Sequence, residues 1–153
     1  MELKYEEVYA GFLTKATDNE LEKQLISEDE ETKALGIGKL QTYLEEAFGV
    51  PVISNLFISF SCDDELETIT CELKNSSLYD KKFVQNILAQ GMVIAWMTSK
   101  LDTDLNFIKF FGGKEEKKLM DNYNLNLQRL ERLEIKLEKQ IRNHGYYNGT
   151  YGE

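Results

Sequence analysis

The amino-acid sequence predicts a mainly α-helical protein: a helical bundle with a long C-terminal helix, one inserted β-hairpin and an extended C-terminal tail. Apolar residues recur at helical spacing over most of the 153 residues. Apolar and polar residues alternate one by one only between about residues 55 and 74, which indicates paired strands. Proline occurs once, at Pro51, so long helices are possible elsewhere. We expect a helical domain over residues 1–144 and a tail over residues 145–153.

The N-terminal part of the chain predicts two short helices. Apolar residues on one face, among them Leu3 and Phe12, predict an amphipathic helix over residues 3–15. Thr17 or Asp18 is suited to cap a second helix because a short polar side chain can accept a hydrogen bond from the first turn. This second helix is expected to end near residue 25.

A third helix is predicted from Ser27 to the glycine at position 49. Its first turn is rich in acids, which favour the partly positive N-terminus of a helix. Gly49 is a natural C-terminal stop, and Pro51 follows directly. The core side of this helix is expected to contain Leu35, Leu40, Tyr43, Leu44, Ala47 and Phe48.

The predicted hairpin joins alternating runs over residues 56–62 and 68–73 through an acidic turn. Its packed face is expected to contain Leu56, Ile58, Phe60, Cys62, Ile69, Cys71 and Leu73. The spacing permits a contact between Cys62 and Cys71, although both are also suited to be small buried apolar residues. The acids at the turn are Asp63, Asp64, Glu65 and Glu67.

The second half predicts a central helix and a long last helix. Asp80 is suited to cap a helix over residues 83–97, in which eleven of fifteen residues are apolar, as in a helix surrounded by protein. A separate segment over residues 103–111 is expected to add the core residues Leu105, Phe107, Ile108, Phe110 and Phe111.

The last helix is predicted from Lys114 to His144. Apolar residues near heptad spacing give it one continuous stripe, which Glu134 interrupts. Its length of roughly 45 Å, at about 1.5 Å per residue, exceeds what a small domain needs. We therefore expect part of it to pack against another chain, with a long intramolecular helix as the alternative. The heptad positions are Met120, Tyr123, Leu127, Leu130, Leu137 and Ile141.

The tail after the last helix lacks periodicity and is rich in tyrosine and glycine. Tyrosine supplies a large contact area with little loss of side-chain entropy, and it is enriched at protein interfaces. The tail is therefore either a frayed terminus or a docking segment. The residues assigned to docking are Tyr146, Tyr147, Asn148, Gly149, Thr150 and Tyr151.

The sequence contains none of the common catalytic or nucleotide-binding motifs. With His144 as the single histidine and no Cys-x-x-Cys pair, a zinc site of usual composition is not expected. We expect no catalytic residues, no cofactor and no metal. The acidic start does not predict a signal peptide, and no apolar run is long enough to predict a membrane span.

The net charge of −9 is unevenly distributed. Residues 1–80 contain 6 Lys/Arg and 18 Asp/Glu, a net charge of −12, whereas residues 81–153 contain 12 and 9, a net charge of +3. The first part is therefore expected to repel nucleic acid. The second part allows nucleic-acid binding weakly, through Arg129, Arg132, Lys136, Lys139 and Arg142, but acids interleave with these residues as on a solvated helix.

Several segments, in order, resemble head-tail connector proteins (head completion or adaptor proteins) of long-tailed bacteriophages of Gram-positive bacteria. Residues 5–9, followed by Phe12-Leu13 and Thr17-Asp18, resemble their N-terminal segment. Residues 87–97 resemble their central helix, and the segment from Leu105 through Lys114-Glu115 into the leucine-rich last helix also fits. Ala95 departs from the family, which usually has an acid there, and the two cysteines are not a family feature.

The resemblance implies a mainly helical subunit of a ring, usually of twelve copies, beneath the portal in the virion neck. Such a ring extends the DNA channel, carries the next neck or tail-completion protein and helps to retain the genome. The C-terminal segment would reach the portal and become ordered there, here over residues 146–153. DNA would pass through the ring without specific binding, no membrane would be involved, and assembly would occur in the host cytoplasm.

If the chain is a connector of this kind, we expect the acidic turn at Asp63, Asp64, Glu65 and Glu67 to line the channel. Three other classes remain as alternatives. One is a small helical adaptor or regulator in the host cytoplasm that dimerises through the last helix. The others are a helical nucleic-acid-binding protein and an enzyme.

Overall fold

A computed structural model describes residues 1–108 and 113–147, and in them the protein is mainly helical with a small three-stranded antiparallel sheet. The predicted fold class is confirmed. The chain forms two compact units, residues 1–93 and residues 94–153. The elements are β1 (Glu2–Lys4), α1 (Tyr5–Lys15), α2 (Asn19–Leu25), α3 (Glu30–Phe48), α4 (Pro51–Ser54), β2 (Phe57–Asp63), β3 (Thr68–Leu73), α5 (Lys81–Ile108) and α6 (Gly113–Tyr147).

The sheet has the order β1-β3-β2, and both neighbouring pairs are antiparallel. The hairpin was predicted, but strand β1 was not. Leu3, which the sequence placed in the first helix, lies in β1 opposite Ile69, and both side chains are buried. A strand of three residues is too short to show an alternating pattern, so its state depends on the partner strand.

Helix termini follow the local capping residues. The carboxylate of Asp18 accepts a hydrogen bond from the backbone N–H of Leu21 at 3.1 Å, which confirms one of the two predicted caps of α2. Helix α3 begins at Glu30, three residues later than predicted, with Asp29 at its N-cap position. Gly49 ends α3 as predicted, and Pro51 then begins the single-turn helix α4, which the sequence did not predict.

The hairpin departs from strict alternation near the start of β2. The register shifts between Phe57 and Ser59, so Phe57 is buried while Ile58 is exposed. The predicted packed face of β2 is therefore wrong at Ile58, and Phe60 is also more exposed than expected. The ring of Phe60 instead stacks on Phe48 of α3, with centroids 4.2 Å apart.

Helix α5 begins as predicted but continues further. The Asp80 carboxylate accepts a hydrogen bond from the N–H of Phe83 at 2.7 Å, and every residue from Gly91 to Ala95 is buried. The predicted break after Met97 is wrong, because α5 runs on to Ile108. No glycine or proline interrupts residues 98–108.

The core assignment beyond this point is confirmed only in part. Ile108 is buried, but Phe107 is 56% exposed, so its assignment to the core is wrong. Phe110 and Phe111 lie outside the described residues. In the described part of the chain, no helix has both the length and the apolar character needed to cross a bilayer.

Helix α6 contains 35 residues and spans about 52 Å at 1.5 Å per residue. On the predicted stripe, Leu130 and Leu137 are buried, whereas Met120 is exposed. The helix continues to Tyr147, so residues 145–147 are helical and not part of an extended tail.

Candidate functional site

Two surfaces of the described residues combine charge with a defined geometry. One is the acidic hairpin tip, residues 63–67, which lies in the first compact unit. The other is a groove between α5 and α6 in the second unit, which we call the basic groove. Each surface is described within its own unit.

The hairpin tip is closed by its own acids. One oxygen of Asp63 accepts hydrogen bonds from the backbone N–H groups of Glu65 and Leu66, at 3.0 and 3.1 Å. This is the turn chemistry for which aspartate is favoured. Glu67 has a φ of 53°, a left-handed conformation that is uncommon for a residue other than glycine. The tip therefore has a specified shape.

Tyr5 holds the tip against the start of α1. Its hydroxyl donates a hydrogen bond to Asp64 at 2.7 Å, and its backbone N–H donates to the carbonyl oxygen of Glu67 at 2.9 Å. The Tyr5 side chain is buried, and its ring lies 5.5 Å from that of Tyr9. Two bonds from one residue fix the position of the tip on the body of the unit.

The four predicted tip acids consequently differ in role. All four acids are exposed. Asp63 and Asp64 also accept hydrogen bonds within the fold, whereas in the described part of the chain no such bond is made by the carboxylates of Glu65 and Glu67. Leu66, which the sequence analysis did not single out, lies between them and is 73% exposed. The tip thus presents four exposed carboxylates, two of which already take part in hydrogen bonds within the fold, and one apolar side chain.

Tyr5 links the tip to a pH dependence of stability. Burial first, and then the hydrogen bond to Asp64, raise the pKa of the Tyr5 phenol above its ordinary value, and burial also raises the pKa of Tyr9. In the unfolded chain a tyrosine phenol ionises near pH 10, whereas in the folded protein these phenols stay protonated to higher pH. Above about pH 10, ionisation therefore favours the unfolded chain. We therefore expect the free energy of unfolding to fall as the pH rises above that value.

Tyr5→Phe tests this link. It is expected to lower the free energy of unfolding by about 1.5–3 kcal/mol at neutral pH, the usual contribution of a hydrogen bond to a charged group. The variant should also lose less stability at alkaline pH than the wild type. The remaining loss is then due to the ionisation of Tyr9. Urea denaturation between neutral and alkaline pH measures both effects. Asp64→Asn is the matched control, because its amide oxygen can still accept the bond. If Tyr5→Phe leaves both the free energy of unfolding and its pH dependence unchanged, the hydrogen bond from Tyr5 to Asp64 does not stabilise the tip.

The two cysteines are not opposite each other in the hairpin. Cys62 pairs with Ile69 and Cys71 with Phe60, so the cysteines are diagonal neighbours, and both are free thiols. Burial raises the pKa of each thiol, which favours the unreactive protonated form. They act as small packing residues of the sheet.

The basic groove has a volume of about 520 Å³, within the range of roughly 300–1,000 Å³ that is usual for ligand pockets. Apolar side chains of both helices contribute to its lining, together with four cations, one carboxylate and the amide of Asn126. The apolar residues are Trp96, Met97, Leu101 and Leu133, the cations are Lys100, Arg129, Arg132 and Lys136, and the carboxylate is Asp104.

The cations of α6 follow a helical spacing that the sequence analysis missed. Arg129, Arg132, Lys136 and Lys139 are separated by three, four and three residues, which places them on one face. The acids Glu131, Glu134 and Glu138 fall on the opposite flank of the buried stripe. For these four cations, the interleaving of signs along the sequence is a separation of signs around the helix, whereas Arg142 lies on the side of the acids and forms a salt bridge with Glu138. The helical period of 3.6 residues, applied to the sequence, predicts this separation of charges.

The predicted docking tail lies only partly within the described residues. The backbone of Tyr146 and Tyr147 ends helix α6. Asn148, Gly149, Thr150 and Tyr151 lie outside the described residues. The docking role of this segment stays a prediction.

Compared with known protein families, with curated proteins and with solved structures, the chain matches none.

Proposed function

We propose that this protein is a structural subunit of the neck of a tailed bacteriophage. In this proposal, copies of the chain form a ring beneath the portal. The role is structural, with no substrate and no catalysed reaction. The ring extends the DNA channel, joins head to tail and helps to retain the packaged genome. The family resemblance of the N-terminal segment, the central helix and the last helix supports the proposal, as does the mainly helical fold with one hairpin.

The observation that carries this proposal is an acidic tip in a fixed position. Asp64 and the Glu67 carbonyl are bound by Tyr5, so the exposed carboxylates of Glu65 and Glu67 are presented by an anchored turn. A channel for DNA benefits from such a surface. Cationic side chains would bind phosphates and release counterions, which holds DNA in place, whereas carboxylates do not.

We assign Glu65 and Glu67 as the main channel-facing residues among the four tip acids. Asp63 contributes mainly by closing the turn and Asp64 by binding Tyr5. The portal is the partner at one end of the ring, through residues 146–153, and the next neck protein is the partner at the other end. We assign the assembled protein to the head–tail interface of the virion, after assembly in the host cytoplasm.

Charge reversal at the tip tests the proposal. Virions that contain Glu65→Lys/Glu67→Lys are expected to release their DNA more slowly than wild type, because the new cations bind the passing phosphates. Time-resolved measurement of DNA release from purified virions gives the rate. The matched control is Glu115→Lys/Glu116→Lys, an exposed pair on α6 that makes the same change in net charge. Equal release rates for wild type and the tip variant would contradict the channel assignment.

A second candidate is a small helical adaptor or regulator that dimerises through α6. The exposed apolar side chains of Met120, Leu125 and Ile135 on that helix favour it. The two proposals differ in solution behaviour. An adaptor of this kind is a stable dimer by itself, whereas a neck subunit forms its ring with the portal. Sedimentation of the purified chain with and without the portal separates them.

A further inference from the structure

The four cations and Asp104 give the basic groove a net charge of +3. The whole protein has a net charge of −9. Within the described residues, no salt bridge joins Lys100, Arg129, Arg132 or Lys136 to a carboxylate. A cationic rim around an apolar floor fits a ligand that is both acidic and apolar.

One exposed segment of the same chain has this complementary character. Residues 26–35, which we call the acidic segment, connect α2 to α3 and form the first turns of α3. Their net charge is −3. Two large apolar side chains flank the acids, Ile26 at 81% exposed and Leu35 at 63% exposed. The exposed acids are Glu28, Asp29, Glu30 and Glu31.

The acidic segment has a defined local structure before any contact is made. Asp29 accepts a hydrogen bond from the hydroxyl of Thr32 at 2.6 Å, and Ser27 accepts one from the N–H of Asp29. The bond from Thr32 also lowers the pKa of the Asp29 carboxyl, which favours its ionised form. A preformed segment loses less entropy on binding than a disordered one.

We infer that the basic groove of one copy binds the acidic segment of a second copy. Ile26 or Leu35 would enter the apolar floor, and the carboxylates would face the cations of the rim. Because the two surfaces are different, we place the contact head to tail: each copy uses its groove on one neighbour and its acidic segment on another. Contacts of this kind close into a ring or continue as a filament. The inference rests on the proposed function only for closure into a ring, because the contact itself needs no portal.

Nucleic acid is the competing ligand for a groove with four cations. A base would stack on an open aromatic face. Among the described residues of the lining, Trp96 is the aromatic side chain, and its ring already has the ammonium group of Lys100 4.5 Å from its centroid. Occupation of this face, and the presence of Asp104 in the rim, favour an acidic protein segment over DNA.

Charge-reversal variants of the full-length chain test the contact by sedimentation up to about 1 mM protein at low salt, where even weak association is measurable. The groove variant is Arg132→Glu/Lys136→Glu, and the segment variant is Glu30→Lys/Glu31→Lys. Each alone is expected to weaken self-association at least about 10-fold, because like charges then face each other. A chain that combines both variants restores opposite charges, and so does an equimolar mixture of the two.

The matched control is Lys117→Glu/Lys118→Glu, an exposed pair on α6 outside the groove that makes the same change in net charge as the groove variant. It should retain association. Circular dichroism of each variant checks that the helices are intact. Association should also weaken as salt rises, because the screening length shortens from about 10 Å at 0.1 M to about 3 Å at 1 M.

Three results would overturn the inference. They are absence of self-association in the wild type, equal loss in the groove and control variants, and failure of the combined variant to restore association. Binding of a mixed-sequence DNA duplex that only the groove variant loses, with self-association unchanged, would assign the groove to nucleic acid. Portal binding is measured separately. Self-association without portal binding would support the contact between copies and contradict the proposed function.

Discussion

Replacing Gly91 by alanine is expected to lower the free energy of unfolding by about 1–3 kcal/mol, the usual cost of overpacking a core. A Cβ atom at this position of α5 would lie 2.6 Å from Cδ1 of Ile53 and 2.9 Å from Cβ of Ala47. Both neighbours are fully buried, so neither can move into solvent. The steric cost is expected to exceed the gain in helix propensity, which is about 1 kcal/mol for alanine over glycine.

Gly38→Ala is the matched control, because Gly38 also lies inside a helix but has no neighbouring atom within 4 Å of the added Cβ. It is expected to raise the free energy of unfolding by about 0.5–1 kcal/mol. Urea denaturation of both variants gives the comparison. Stabilisation by Gly91→Ala equal to that by Gly38→Ala would show that α5 is not packed closely against α4 and α3.

Removal of residues 146–153 is expected to abolish binding of the portal while the free energy of unfolding stays nearly unchanged. In the proposed function these residues supply the contact, and their three tyrosines supply its apolar area. The chain would end at Gly145, beyond the buried side chains of Leu130 and Leu137, so the packing of α6 is retained. A pull-down with purified portal protein measures binding.

A shorter deletion, of residues 148–153, separates the contributions of the tail. It keeps Tyr146 and Tyr147, which end helix α6, and removes Tyr151. We expect weakened binding from the shorter deletion and none from the longer one. The full-length chain with serine at the three tyrosine positions controls for length. Undiminished portal binding after the longer deletion would contradict the docking role.

Periodicity and capping chemistry predicted the helical part of the fold well. Asp18, Gly49 and Asp80 mark element ends because each needs only local geometry to act as a cap or stop. The mainly apolar pattern of residues 83–97 likewise predicted the burial of the first half of α5. These features depend on neighbours within one helical turn.

Features set by distant neighbours were missed. Strand β1 depends on pairing with β3, and the burial of Phe57 in place of Ile58 depends on an irregular register. The continuation of α5 to Ile108 was missed because its second half lacks the apolar character of the first. A change of composition was interpreted as a change of element, although no helix breaker is present.

The candidate surfaces were predicted in the same uneven way. The acidic tip was found because its residues are consecutive, but its tether to Tyr5, 59 positions away from Asp64, has no sequence signal. The basic groove was missed because α5 contributes Trp96 and Lys100 while α6 contributes the remaining cations. The spacing of the α6 cations was the one sequence signal for a charged face, and it was not used for the prediction.

Electron microscopy of the purified chain mixed with its cognate portal protein tests the proposed function most directly. The proposal predicts a closed ring of this chain, with the twelvefold symmetry implied by the family resemblance, on one end of the portal and a channel through both. The hairpin tips, with Glu65 and Glu67, should lie at the channel wall. A portal without added density, or this chain as a dimer that leaves the portal unbound, would contradict the proposed function.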